Sequence, residues 1–236
     1  MNKEIWTDWR INKPCPSCQL GRLKEHPKKP FMQSETLASE NMTSQGYPYY
    51  DYVFTEHLKC DNCGEVVVAL GRKSEDSNPN EEGKHDMFIK YLAFEPTPFL
   101  IVVPKSCPKR VKEILLESFS LFWRDENSCA NKIRVSVEAL MDALKIKKTK
   151  LNKKGRETLK LHARIMEFRL QNAEVADFLL AIKWIGNSGS HMDNITVPQL
   201  LDAYELMEYA LELLYNDRKK LLTRKSKAIN KRRKPI

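Results

Sequence analysis

The sequence lacks the long apolar segments and the glycine motifs that would assign it to a membrane or to a common enzyme class. No apolar run reaches the roughly 18 residues that span a bilayer, and Met1–Trp6 contains no apolar core of a signal peptide. A phosphate-binding glycine loop and a Gly-x-Ser-x-Gly nucleophile elbow are also absent. We therefore expect a cytoplasmic protein that does not associate with membranes.

Most of the chain also lacks any excess of charge. Residues 1–216 hold 30 Lys/Arg and 30 Asp/Glu, whereas residues 217–236 hold ten Lys/Arg and one Asp. Such basic segments can bind phosphate backbones by releasing counterions. The candidate nucleic-acid-binding residues are Arg224, Lys225, Lys231, Arg232, Arg233 and Lys234. The alternative is a solvated, frayed terminus, and a second basic run at residues 145–156 can likewise be a solvated loop.

Four cysteines form two closely spaced pairs, Cys15/Cys18 and Cys60/Cys63, each with the C-x-x-C spacing. Such pairs form knuckles that hold a tetrahedral four-sulfur site suited to one structural zinc ion, Zn2+. Partly alternating residues precede the second pair and β-branched residues follow it, as in the hairpin of a zinc ribbon. Two disulfides, or metal-free thiols, remain alternatives. The 41 residues between the pairs exceed the usual spacing, so the ribbon must accommodate an insertion.

The hydrophobic pattern changes from strand-like to helical near Pro108. It predicts five amphipathic helices between about residues 109 and 224, the fifth capped by Thr196. The predicted fold is α+β, with a small β zinc ribbon followed by an all-α helical bundle. The predicted organisation is a ribbon over residues 1–71, a linker and extended segment over 72–108, the bundle over 109–216 and a basic extension over 217–236.

A Trp-x-Gly-Asn-x-Gly-x-His run, Trp184–His191, follows the fourth predicted helix, and the second predicted helix contains Arg-x-x-x-Glu-x-Leu from Arg134. In these elements residues 109–216 resemble a bacterial family known only as a domain of unknown function, which is similar to the HEPN superfamily. The resemblance implies a helical bundle that pairs as a homodimer or with a related helical protein, in bacterial stress or antiviral defence.

Many HEPN domains are metal-independent ribonucleases, and the resemblance places Asn187 and His191 at the catalytic polar and histidine positions. Gly186 then occupies the position of the arginine that would hold the scissile phosphate, and Lys183 or Arg134 would have to replace it. Structural alternatives are a left-handed helix-end conformation for Asn187, an anchoring hydrogen bond from His191, and a surface ion pair between Arg134 and Glu138. Trp184 is expected in the core.

The sequence therefore predicts a zinc-containing binding or adaptor protein whose partner is nucleic acid, either RNA or DNA, or another protein. The alternative is a ribonuclease toxin or defence effector with a divergent active site.

Overall fold

The computed structural model describes residues 1–8, 10–28, 31–35, 49–79, 85–152, 155–188, 195–215 and 217–232. The chain is a mixture of antiparallel sheet and helices, and it divides into two compact units. One unit comprises residues 2–100 and 119–125, and the other comprises residues 1, 101–118 and 126–236. In the described part of the chain, no helix is long and apolar enough to cross a membrane.

The first unit is built on an antiparallel sheet of five strands. A short helix precedes them, and the elements are α1 (Glu4–Thr7), β1 (Leu23–Glu25), β2 (Met32–Glu35), β3 (Tyr49–Cys60), β4 (Val66–Pro79) and β5 (His85–Glu95). The strand order is β1-β3-β4-β5, and β2 also pairs with β3. Alternation along β3 and β4 turns Phe54, Leu58, Val67 and Ala69 into the core of this unit.

Strand β4 extends further than the sequence indicated. Residues 72–79, which the sequence assigned to a linker, belong to β4, and residues 72–76 of them continue the β3–β4 pairing past the predicted ribbon boundary at residue 71. Their polar side chains find cross-strand and same-strand partners: Ser74 bonds Asp51, and Lys73 pairs with Glu75. Because these residues lack apolar alternation, a hydrophobic pattern cannot identify the strand.

The second unit contains most of the helices, and it confirms the five predicted ones with small shifts in their ends. Helix α2 begins in this unit, and a short hairpin separates the third helix from the fourth. The elements are α2 (Lys109–Leu121), α3 (Glu126–Ala143), β6 (Thr149–Asn152), β7 (Gly155–Thr158), α4 (Leu161–Arg169), α5 (Ala173–Ser188), α6 (Val197–Tyr215) and α7 (Asp217–Arg232).

Helix α5 is central in this unit, since it packs against α3, α4 and α6. The apolar faces of these helices bury Ile133, Leu140, Ile165, Leu179, Ile182 and Leu200. At the start of α6, the Gln199 side chain accepts hydrogen bonds from the backbone N–H and the hydroxyl of Thr196, at 2.9 and 3.1 Å. Thr196 therefore lies at the predicted start of the helix. The bond from its backbone N–H to the Gln199 side chain is one of the two hydrogen bonds of a capping box.

Three expectations for this unit are wrong. Trp184 is 56% exposed rather than part of the core. Residues 149–152 and 155–158 of the predicted basic loop form the β6–β7 hairpin. Residues 217–232 form helix α7 rather than a frayed terminus, because lysine, arginine, leucine and alanine favour helix even without a buried face.

Candidate functional site

The four paired cysteines come together in the first unit. Their sulfur atoms all lie within 4.8 Å of one another. Cys15 Sγ lies 3.6 Å from Cys63 Sγ, and Cys18 Sγ lies 3.7 Å from Cys60 Sγ. A metal bound to four sulfurs at about 2.3 Å would hold them about 3.8 Å apart in a tetrahedron. The cluster therefore has the donor set and the dimensions of a four-thiolate metal site.

The two knuckles share one backbone geometry. The residue after the second cysteine of each pair has a positive φ, 57° at Gln19 and 79° at Gly64. The N–H of Gln19 bonds the carbonyl of Cys15 at 3.0 Å, and the N–H of Gly64 bonds the carbonyl of Cys60 at 3.1 Å. The sequence indicated this turn only at Gly64, because glycine adopts such dihedrals without strain and glutamine seldom does.

The long separation between the pairs is taken up by the sheet itself. The intervening residues include β1, β2 and most of β3, while residues 36–48 lie outside the described part of the chain. Strand β1 runs antiparallel to β3 and sets Leu23 opposite Cys60. This pairing brings the first knuckle, which immediately precedes β1, to the end of β3 where the second knuckle begins.

Hydrogen bonds and burial give the four thiols different acidities. The Asn62 side chain and the Gly21 backbone N–H donate to Cys18 Sγ, and these bonds lower the pKa of Cys18 to about 6. Burial raises the pKa of Cys15 to about 12. Metals bind thiolates. A cation that binds this cluster would therefore have to displace the proton of Cys15, whereas Cys18 loses its proton more readily.

All six cysteines are free thiols in the structure, and the closest sulfurs across the two pairs lie 3.6 and 3.7 Å apart, beyond the length of a disulfide bond. The remaining two, Cys107 and Cys129, are buried, and burial raises the pKa of Cys107 to about 11. Cys129 Sγ lies 3.1 Å from the hydroxyl of Tyr204, which donates to Ser118 Oγ at 2.9 Å. Both cysteines are therefore inaccessible, as a structural role requires.

The first five residues of the motif that carried the family resemblance, Trp184–Ser188, lie within helix α5. Gly186 and Asn187 are the third- and second-last residues of α5, and His191 lies outside the described residues. Asn187 does not have a positive φ, so the left-handed helix-end interpretation is wrong. Gly186 is buried against α3, where an added Cβ would lie 2.5 Å from Arg134 Cβ and 2.9 Å from the Ala130 carbonyl oxygen. The glycine therefore allows α3 and α5 to approach closely.

Two of the sequence candidates meet beside this glycine. Arg134 pairs with Glu138 at 2.6 Å and donates to the Asn131 side chain at 3.3 Å, which confirms the predicted ion pair. Lys183 Nζ lies 3.1 Å from the centroid of the Trp184 ring. Desolvation and the positive charge of Arg134 lower the pKa of Lys183. The structure thus places Arg134 against Gly186, close enough to Lys183 for the two positive charges to interact.

The basic candidates lie along an exposed helix. Arg224, Lys225, Lys231 and Arg232 are exposed on α7, and Arg233 and Lys234 lie outside the described residues. Lys227, which was not among the residues predicted from the sequence, lies on the same helix face as Arg224 and Lys231, at i, i+3 and i+7 spacing. Within the described part of the chain, none of the basic residues from 224 to 232 pairs with a carboxylate. The row therefore presents its positive charge to solvent.

Comparison with protein families matches each unit separately. Residues 117–232 match the model of a family described as a domain of unknown function (DUF4145), and residues 3–99 match another described as a domain of unknown function (DUF8608). The comparisons with curated proteins and with solved structures found no match. The matches agree with the predicted resemblance to a domain of unknown function, and they name no activity.

Proposed function

We propose that the protein is a non-catalytic binding protein with one structural zinc ion and that it binds nucleic acid through helix α7. The observation that supports this proposal is the row of Arg224, Lys227 and Lys231 on an exposed helix. Lys225 and Arg232 add positive charge beside it. Because most of the molecule is neutral in total, this helix dominates the attraction of a polyanion.

Zinc fits the cysteine cluster better than harder cations do. Four thiolates in tetrahedral arrangement favour zinc or iron over magnesium or calcium, which prefer oxygen ligands. A site with four protein ligands has no open position for water or substrate, so the zinc would hold the two knuckles together rather than take part in catalysis. Cys15, Cys18, Cys60 and Cys63 would be its ligands.

The geometry of α7 suits contacts with phosphates rather than with base edges. Lys231 lies seven positions after Arg224, a distance of about 10 Å along a helix that rises about 1.5 Å per residue. Backbone contacts of this kind are independent of sequence and sensitive to salt. We therefore propose binding to RNA or DNA without strong sequence preference, as an adaptor would require.

The test compares two matched triple variants in binding to a labelled single-stranded RNA and to a duplex DNA over a range of salt. Arg224, Lys227 and Lys231 are changed to glutamine in one variant. In the control, three exposed bases of the β6–β7 region, Lys147, Lys150 and Arg156, are changed to glutamine. We expect the α7 variant to reduce the slope of log K against log salt by about two to three, since each lost contact removes about 0.7–0.9.

The control variant loses the same charge and should keep most of the slope. An equal loss in both variants would show that only net charge matters, and undetectable binding of either nucleic acid by the unaltered protein would contradict the proposal. A change in affinity alone, with the slope retained in the α7 variant, would also count against phosphate contacts by this helix.

A second candidate function is RNA cleavage, favoured by the approach of Arg134 to Gly186. Here the guanidinium would come from α3 rather than from the motif position, with Lys183 near it and Asn187 and His191 as the remaining groups. Homodimers, or pairs with a related helical protein, would bring two such sites together. Phe119, Phe122 and Phe168 are buried within the chain, so these apolar side chains do not need a second copy to cover them.

Cleavage of labelled RNA distinguishes this candidate from binding alone. Arg134→Ala and His191→Ala should each abolish cleavage if the site is catalytic. Lys132→Ala, on the same helix and paired with Glu117, serves as the control. Absence of cleavage by the unaltered protein, or equal cleavage by all three variants, would exclude this candidate.

A further inference from the structure

A cavity with a volume of about 220 Å³ lies in the first unit, on the face of the sheet that forms the core. Its lining combines aromatic rings with two carboxylates, Glu25 and Glu56, and two basic residues, Arg10 and Lys13. The cavity is smaller than the roughly 300–1,000 Å³ of sites for drug-sized ligands. Its size therefore suits one small group, such as the end of a single side chain.

Glu56 occupies an inward position of strand β3 where an apolar residue would be expected. Alternation along the strand places it on the same face as Phe54 and Leu58, both of which are buried. Its carboxylate accepts a hydrogen bond from the hydroxyl of Tyr91, at 3.1 Å. A carboxylate so placed costs free energy unless it has a charged partner, so its position favours a role in binding.

Glu25 lies on the same face as Glu56. It stands opposite Leu58 in the antiparallel pairing of β1 with β3, and directly opposed residues share a face. Its negative charge helps to raise the pKa of Glu56, after the larger effect of burial. The cavity therefore contains two carboxylates that repel each other, and neither has a cationic partner among the described residues.

Neither basic residue of the lining forms an ion pair with Glu25 or Glu56, although Lys13 adds a positive charge to the lining. The guanidinium of Arg10 donates from Nε and Nη2 to the two carboxylate oxygens of Asp8, at 2.9 and 2.8 Å. The ammonium of Lys13 donates to the carbonyls of Asp8 and Ile11, at 2.8 and 3.0 Å. The negative charge of Glu25 and Glu56 is thus available to a ligand.

Aromatic rings form another side of the cavity. The centroids of Phe31 and Phe54 are 5.1 Å apart, those of Phe54 and Tyr91 5.7 Å, and those of Tyr91 and Phe94 4.8 Å. The faces of such rings attract cations, most strongly in sites that exclude water. Rings and carboxylates together select for a cation with an organic surface, and a hydrated metal ion would not use the rings.

We propose that this cavity binds the guanidinium or ammonium group of a basic side chain presented by a protein partner. The cation would be held between the Glu25 and Glu56 carboxylates while its hydrocarbon stem contacts the rings of Phe31 and Phe54. This site is separate from the cysteine cluster and from helix α7, so it goes beyond the proposed nucleic-acid binding.

The experiment titrates the full-length protein with N-acetyl-arginine amide and follows the NMR signals of the first unit. N-acetyl-citrulline amide, which has the same shape without the charge, is the matched neutral probe. We expect saturable binding of the arginine compound that is about tenfold tighter than that of the citrulline compound, as the loss of one charge-assisted hydrogen bond predicts. n-Butylguanidine, a free guanidinium with the same single charge, shows whether a small cation occupies the site in preference to a side chain.

Three single variants assign the binding to the cavity. Glu25→Gln and Glu56→Gln should each weaken binding of the arginine compound by about tenfold. Gln at position 56 can still accept the Tyr91 hydrogen bond, so the variant is expected to fold. Glu95→Gln, which alters an exposed carboxylate on β5 outside the cavity lining, should leave the affinity unchanged.

Four results would overturn the proposal. These are no saturable binding of the arginine compound, equal binding of the arginine and citrulline compounds, an unchanged affinity in Glu56→Gln, and equal weakening by Glu95→Gln. Tighter binding of n-butylguanidine than of the blocked arginine would retain the cation site but reject a protein side chain as its occupant.

Discussion

At the scale of single residues, the sequence identified the cysteine cluster but not the cavity. A single C-x-x-C also occurs in redox motifs, but two such pairs, one of them within a hairpin, are typical of a metal site, so Cys15, Cys18, Cys60 and Cys63 could be predicted from the sequence. The sequence carried a weaker indication of the inward position of Glu56, because Phe54, Glu56 and Leu58 are alternate residues and so share one face of a strand. That signal becomes interpretable only when the pairing of β1 and β5 shows which groups face the carboxylate.

Cys60→Ser should remove the metal and unfold the first unit while the helical unit persists. Binding free energy at a four-thiolate site contributes directly to folding. We expect one zinc per chain in the unaltered protein and less than half an equivalent in the variant, measured by elemental analysis. Limited proteolysis should then cut residues 1–100 first. Cys107→Ala, outside the cluster, is the control, and full zinc in Cys60→Ser would contradict this site.

Glu56 should make stability depend on pH. Burial raises the pKa of Glu56 above its usual range, so between the unfolded and folded pKa values the folded chain binds more protons and stability falls as pH rises. Glu56→Gln removes that cost, so it should raise the urea midpoint more at about pH 8 than at about pH 5. Glu95→Gln should show no such difference. A midpoint lowered in Glu56→Gln at both pH values would refute this interpretation.

At the scale of elements, periodic apolar residues predicted helices α2 to α6 well, and polar elements were the ones missed. The outer half of β4 and helix α7 bury few side chains, so neither produces a hydrophobic period. Helix α7 instead has Lys231 and Arg232 in its last turn, where positive charge complements the helix dipole. An aromatic residue in an apolar helix predicts a core position for Trp184, but its ring is exposed and covers the Lys183 ammonium.

Gly186→Ala tests the contact between α3 and α5. Its Cβ would lie 2.5 Å from Arg134 Cβ and 2.9 Å from a backbone oxygen, so the helices would have to separate. We expect a net loss of stability, because overpacking costs about 1–3 kcal/mol and replacing a helical glycine with alanine recovers at most about 1 kcal/mol. Urea unfolding measures this loss of stability, with Asn187→Ala as the control variant in the same helix. A gain in stability for Gly186→Ala would show that the helices adjust freely.

At the scale of the whole molecule, the chain divides into two compact units, and its excess positive charge lies in the last 20 residues. The sheet unit extends to Leu100, so the sequence-based boundary at residue 71 falls inside β4. Long-range strand pairing decides this boundary, and no local pattern reports it. The net charge of +9 is carried by residues 217–236, which the composition alone already located.

The central claim, nucleic-acid binding through the basic C-terminal segment, is tested most directly by the salt dependence of binding after deletion of Thr223–Ile236. This deletion removes seven Lys/Arg and no acid, and leaves the cysteine cluster and helices α2 to α6 in place. We predict weaker binding of labelled RNA and DNA and a slope of log K against log salt that falls by about half or more. An affinity and a slope that equal those of the full chain would contradict the account.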